Sequence, residues 1–170
     1  MYKIGDNVVY GSNGVMTVTD IREECIGDAY RSYYVLRPYG SEHASFTFVP
    51  TDSESLVSQM LPLLTKDEIY AMLRDYSSIP GIEWIKENRQ RSEYFKNLME
   101  SGDRARILVM IDEIVRAGLK RQKEGKKNFL SDENAMRKAE KIISLEFSLV
   151  LGIPEDAVFE FIRAEIAKNK

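Results

Sequence analysis

Two hydrophobic patterns follow one another along the chain, and they change over near Pro50. Before it, apolar positions come in short runs rich in β-branched and aromatic residues: Val8-Val9-Tyr10, Val15-Met16-Thr17-Val18, Tyr33-Tyr34-Val35-Leu36 and Phe46-Thr47-Phe48-Val49. Turn signals separate them at Gly11-Ser12-Asn13-Gly14, Gly27-Asp28 and Gly40-Ser41. Four or five short strands within about 60 residues are too few for a large sandwich. They predict a small, strongly bent barrel of SH3 or Tudor type, because closure protects strand edges.

After Pro50 the period becomes 3.6. Thr65-Lys66-Asp67-Glu68 reads as a capping box, with Ile69, Met72 and Leu73 on one face of the helix it opens. Ser77-Ser78-Ile79-Pro80-Gly81 ends that helix, and a second is expected over roughly residues 82–99. Ser101-Gly102-Asp103 marks the next boundary, before a helix over 104–121 with Ile107, Met110, Ile111, Ile114 and Val115 inward. Gly125 to Asn128 is a basic loop. Ser131 and Asp132 open a long helix that buries Ala135, Ala139, Ile142, Ile143, Phe147 and Val150, and Pro154 opens a last one to about Ala167. The reading is α+β: a β-barrel over residues 1–60, a junction near 51–64, and an all-α bundle of about five helices over 65–170.

Composition narrows the class. The chain has 170 residues, 44% of them hydrophobic and 30% charged, which suits a folded domain and not a disordered one. No apolar run approaches the roughly 18 residues of a membrane span, and the start, MYKIGDNVVY, lacks the basic and apolar regions of a signal peptide. One cysteine, Cys25, excludes an internal disulfide framework and fits a reducing, cytoplasmic setting. The net charge of -3 argues against nucleic acid as a partner. That average hides a contrast: residues 1–61 carry four basic and eight acidic side chains, whereas 84–127 carry twelve basic and seven acidic, net +5. At cellular salt, charges separated by more than about 8–10 Å are largely screened, so local sign decides what a surface attracts.

Motifs for catalysis are missing. There is no P-loop, no Gly-x-Gly-x-x-Gly after a strand and no Gly-x-Ser-x-Gly. His43 is the only histidine, which makes a His/Cys zinc site implausible, and Cys25 follows the acidic pair Glu23-Glu24, a poor setting for a nucleophile. A non-enzyme without cofactor or metal is expected. The informative feature is Trp84, the only tryptophan. It precedes eight residues, Lys86 to Glu93, with no apolar side chain, and the apolar face resumes only at Tyr94 and Phe95. A large aromatic flanked by Lys86, Arg89 and Arg91 suits a nucleic acid, the cations taking phosphates and the ring stacking on a base or wedging between steps. The opposite reading has Trp84 capping the bundle core, with the polar turns merely solvated.

The run Lys3-Ile4-Gly5-Asp6-Asn7-Val8-Val9-Tyr10, with Gly14-Val15 four residues on, resembles the N-terminal module of CarD/CdnL-type bacterial transcription regulators, a module also found in the transcription-repair coupling factor. Tyr34-Val35-Leu36-Arg37 and Phe48-Val49-Pro50 continue the likeness at the expected spacing. Trp84, its basic neighbours and Ser101-Gly102-Asp103 extend it to about residue 150, and no helicase sequence follows.

The resemblance implies a Tudor-like domain that binds the RNA polymerase β subunit by an edge strand. It also implies a helical domain that touches promoter DNA at the upstream edge of the melted −10 region. Trp84 would wedge at that fork, Lys86, Arg89 and Arg91 would hold phosphates, and the open complex would be favoured without hydrolysis or a small cofactor. Val35, Phe48 and Pro50 match positions where apolar family members contact polymerase. Other members have arginines where this chain has Glu24 and Phe48, so its contact is expected to be more apolar. If Thr47 and Val49 face the barrel core, strand alternation leaves Phe46 and Phe48 as an exposed patch that needs a partner. The alternative from another class is a protein–protein adaptor on polymerase with no DNA contact.

Overall fold

The computed structural model describes residues 1–26 and 29–169, so the turn expected at Gly27-Asp28 lies outside the described residues. Five strands come first: β1 (Asn7–Tyr10), β2 (Val15–Ile26), β3 (Ala29–Pro38), β4 (Thr47–Pro50) and β5 (Met60–Pro62). They form one antiparallel sheet in the order β4-β3-β2-β1-β5. A single helical turn, α1 (Glu54–Val57), sits between β4 and β5. Val8, Met16, Val18, Tyr34, Leu36, Val49 and Met60 share one apolar core. Val49 and Met60 belong to the two ends of the strand order, so the sheet curls until its edges meet the same side chains. The result is an α+β molecule with a small, half-open barrel at its N-terminal end.

β2 and β3 run well beyond the apolar runs that announce them. Thr19 to Cys25 is mostly polar, and nothing in its hydrophobicity asks for a strand. It becomes one because β3 lies opposite it residue for residue, from Asp20↔Val35 to Ile26↔Ala29, after a register shift between Val18 and Asp20. Backbone pairing stabilises this ribbon without a buried face. β5 is only three residues long and falls in the stretch read as a junction, where its length hid it.

Five further helices follow: α2 (Lys66–Arg74), α3 (Asn88–Ser101), α4 (Arg104–Lys123), α5 (Leu130–Leu151) and α6 (Val158–Ala167). The capping box forms as read: Thr65 accepts from the Glu68 amide and the Glu68 carboxylate accepts from Thr65. Three boundaries differ from the sequence reading. α3 starts at Asn88, because Pro80 to Ile85 is irregular and the carbonyls of Ile85 and Lys86 bond to Arg91 instead of to helical amides. α5 starts at Leu130, since the carboxylate of Asp132 is turned onto Arg91 and the Ser131 hydroxyl onto Asn88. A 3-10 turn over Glu155–Ala157 precedes α6, so Pro154 stands before that turn.

The barrel and the bundle share a core. Val9 and Val15, paired across β1 and β2, turn away from the barrel interior and join Phe95, Met99, Ile142 and Ile143. Gly102 ends α3 with φ +68, a left-handed conformation that favours glycine, and a Cβ there would also force the Leu61 side chain of β5 to move. Beneath it lies a buried ion pair. Arg104 Nε and Nη2 donate to the two carboxylate oxygens of Glu146, both at 2.9 Å. Arg104 also donates to the carbonyls of Gly102 at 2.8 Å and Pro62 at 3.0 Å, and the Leu64 amide donates to Glu146 at 2.9 Å. One carboxylate and one guanidinium thus bind the end of β5, the α3–α4 turn and α5 together.

Removing one partner of such a pair leaves a buried charge without compensation. Glu146→Ala is expected to lose about 3–5 kcal/mol of stability. Arg104→Met combined with Glu146→Leu should recover most of that loss, because neither charge then remains. Urea unfolding of the two variants measures the difference.

Candidate functional site

Two surfaces concentrate the residues that the sequence singled out. The first is the edge strand β4, which pairs only with β3. Its alternation is settled by burial: Val49 is 0% exposed and points into the barrel, while Phe48 is 44% and Phe46 51% exposed. The reading with both phenylalanines inward is therefore excluded. Phe48 stands edge-on to Tyr33 at 6.3 Å, and the Arg22 guanidinium lies 5.3 Å from its ring. The other two expected contact residues are covered. Val35 lies opposite Phe48 in the register and is 3% exposed, and Pro50, opposite Tyr33, is buried. What this edge offers is main chain plus the two phenylalanine rings, while Val35 and Pro50 are covered. A free strand edge carries a row of unpaired amides and carbonyls, a template for another strand. Ile21 and Tyr30, on the projecting β2–β3 ribbon, are also exposed apolar groups. Sequence reasoning did not find them, because they sit in or beside polar stretches.

The second surface surrounds Trp84. The ring is half-buried, 6.0 Å from Phe95, whose ring is fully within the bundle core. Lys86 and Arg89 are exposed, as a phosphate-facing role needs. Arg91 is not. It is 1% exposed, and all five of its donors are engaged. Nε and Nη2 donate to the Asp132 carboxylate at 3.0 and 2.9 Å. Nη1 donates to the carbonyls of Ile85 at 2.8 Å and Lys86 at 3.2 Å, and Nη2 also donates to Asn88 Oδ1 at 3.0 Å. A guanidinium has five N–H groups, so none is left for a phosphate. The expectation that Arg91 holds DNA is corrected: it is a structural cation inside the bundle.

Its plane is also used. The guanidinium carbon of Arg91 lies 4.7 Å from the Trp84 ring centre and 5.1 Å from that of Phe129. Phe129 lies in turn 4.0 Å from the Arg121 guanidinium, whose Nε donates to the Lys127 carbonyl. Trp84, Arg91, Phe129 and Arg121 thus form a series of cation–π contacts from the irregular segment to the basic loop. One face of the indole is occupied by Arg91, which leaves the ring suited to stacking on a single base and not to a sandwich between two.

The burial of two arginines changes the local charge. Arg91 and Arg104 belong to the segment that carries net +5, and each is neutralised in the core by an acid from residues 128–170. Ten basic and seven acidic residues remain in that segment, so +3 reaches solvent. His43 and Cys25 are exposed. Among the described residues no three His, Cys, Asp or Glu side chains are grouped to hold a metal ion. A cleft of about 1300 Å³ between α4, α5 and α6 contains none of the expected site residues.

The start of α3 depends on a titrating cap. Glu87 accepts from the amides of Gln90 at 2.6 Å and Arg89 at 3.0 Å, and these bonds hold its carboxyl below the usual range. A carboxyl lowered in the folded state contributes stability above its unfolded value, about 4.3. That contribution is lost as pH falls through the lowered folded value. Glu87→Gln is therefore expected to flatten the acid side of the stability curve, measured by urea midpoints at successively lower pH.

No curated protein matches the chain. Residues 2–61 match a known domain family whose members interact with the RNA polymerase β subunit. The match covers all five strands up to Leu61, the exposed edge β4 among them. The barrel at the start of this chain matches the CarD-like/TRCF RID domain over residues 2–61, a Tudor-like domain whose family interacts with RNA polymerase.

Proposed function

We propose that this protein is a transcription regulator that docks on the polymerase β subunit through β4 and stabilises the promoter open complex. In this reading the bundle brings Trp84, Lys86 and Arg89 to DNA at the upstream edge of the −10 bubble. The observation that carries it is the half-exposed tryptophan followed by the exposed cations Lys86 and Arg89, on a bundle that shares its core with a barrel of the RNA polymerase-interacting domain family. Docking raises the local concentration of the bundle at the fork, so a solvent-facing charge of only +3 near Trp84 suffices. An acidic chain need not bind DNA on its own.

The mechanism is a shift of population. A contact available only when the fork is open stabilises that state by its differential binding energy. A coupling of about 1–3 kcal/mol changes the closed–open ratio roughly 5–150-fold. Trp84 supplies a ring face for an unpaired base, and Lys86 and Arg89 supply charge for the flanking phosphates. No bond is made or broken. The edge strand adds main-chain pairing to polymerase, with Phe46 and Phe48 filling apolar sites on the partner strand's side.

Two measurements test the two ends. Trp84→Ala is expected to shorten the lifetime of the open complex formed by cognate polymerase while leaving polymerase binding intact; an unchanged lifetime sinks the promoter contact. Phe48→Arg is expected to abolish polymerase pull-down with an unaltered far-UV circular dichroism spectrum. Persistent capture would place the polymerase interface elsewhere on the barrel.

A further inference from the structure

Trp84 is presented by a segment, residues 80–85, with no helix or strand of its own to fix it. A ring on such a segment would ordinarily sample several orientations, and a wedge that wanders loses its geometric advantage. Here the restraint comes from elsewhere in the chain. Asp132, in the first turn of α5, holds the Nε–Nη2 edge of the Arg91 guanidinium through two bonds. Arg91, in α3, then takes the two carbonyls that follow Trp84 and lays its plane 4.7 Å from the ring. Phe129, which caps α5, backs Arg91 at 5.1 Å and ties it to Arg121 at 4.0 Å.

We infer that Arg91 and Phe129 are positioning residues for Trp84: they hold the indole in one orientation and couple it to the basic loop through Arg121. This assigns to Arg91 a role in the promoter contact without any contact of its own with DNA, and it brings in Phe129, Asp132 and Arg121. Its promoter consequence rests on the function proposed above, but the restraint on the ring does not. Lysine cannot replace Arg91, because a point charge lacks the fork that reaches Asp132 and two carbonyls together.

Trp84 is the only tryptophan, so its emission reports the restraint directly in the full chain. With excitation on the red edge, where tyrosine is silent, wild-type protein should show an anisotropy decay dominated by whole-molecule tumbling. Arg91→Lys and Phe129→Leu should each add a fast local component and raise the acrylamide quenching constant. Phe129 is partly exposed, so Phe129→Leu should keep the wild-type urea midpoint; it serves if Arg91→Lys fails to fold. Unchanged anisotropy and quenching in Phe129→Leu would overturn the inference.

Open-complex lifetimes then separate positioning from mere structure. Phe129→Leu should shorten the lifetime in the wild-type background and add nothing in a Trp84→Ala background. An equal loss in both backgrounds means that Phe129 acts independently of the ring, and overturns the coupling. If Trp84→Ala alone has no effect on the lifetime, the promoter contact fails, while the fluorescence result still decides the restraint.

Discussion

The arrangement of the molecule depends on a single buried carboxylate. Glu146 receives Arg104 through two parallel bonds and the Leu64 amide through a third, while Arg104 reaches back to the carbonyls of Pro62 and Gly102. The end of the barrel, the turn between α3 and α4 and the C-terminal part of α5 meet at this pair. A pair so far from water stabilises little in net terms, because desolvation offsets much of the attraction. Its directional bonds are what matter, since they are met in one relative placement of barrel and bundle. Glycine at 102 and the shared core around Val9 and Val15 add steric agreement.

A second buried pair repeats the device at the other end of α3. Arg91 and Asp132 join α3 to the start of α5, as Arg104 and Glu146 join α4 to its C-terminal part. In both cases the arginine comes from the basic stretch and the acid from the helix after it. The arginine also takes backbone carbonyls at element ends or in irregular chain: Ile85 and Lys86 for Arg91, Pro62 and Gly102 for Arg104. The two pairs thus fix the segments that regular secondary structure leaves loose: the junction after β5 and the segment that bears Trp84. Through them the barrel and the half-buried indole become parts of one body.

Much of the fold was legible in the chain. The change from short β-branched runs to a period of 3.6, the capping box at Thr65 and the boundary at Gly102 follow from local chemistry, and they appear where that chemistry puts them. The outward set of β4 was open in the sequence, which allowed either face of the strand to be the buried one; the half-open barrel chose Val49. The ribbon beyond Val18 and the three-residue β5 were illegible for a different reason. They are strands because of what lies beside them, and pairing leaves no mark in hydrophobicity.

The candidate site divides in the same way. That Trp84 is unusual, that cations surround it and that the average charge conceals a basic stretch are properties of the sequence alone. Which cations face water is not. Arg89 and Arg91 are the same residue type two positions apart, yet Arg89 is exposed and Arg91 lies in the core against the ring. The deciding partner, Asp132, is forty-one residues away, and no local rule links the two. The sequence determined the kinds of element and the set of candidate surface residues. Tertiary packing decided which of those residues are free, because a buried guanidinium goes to the carboxylate that the fold brings to it.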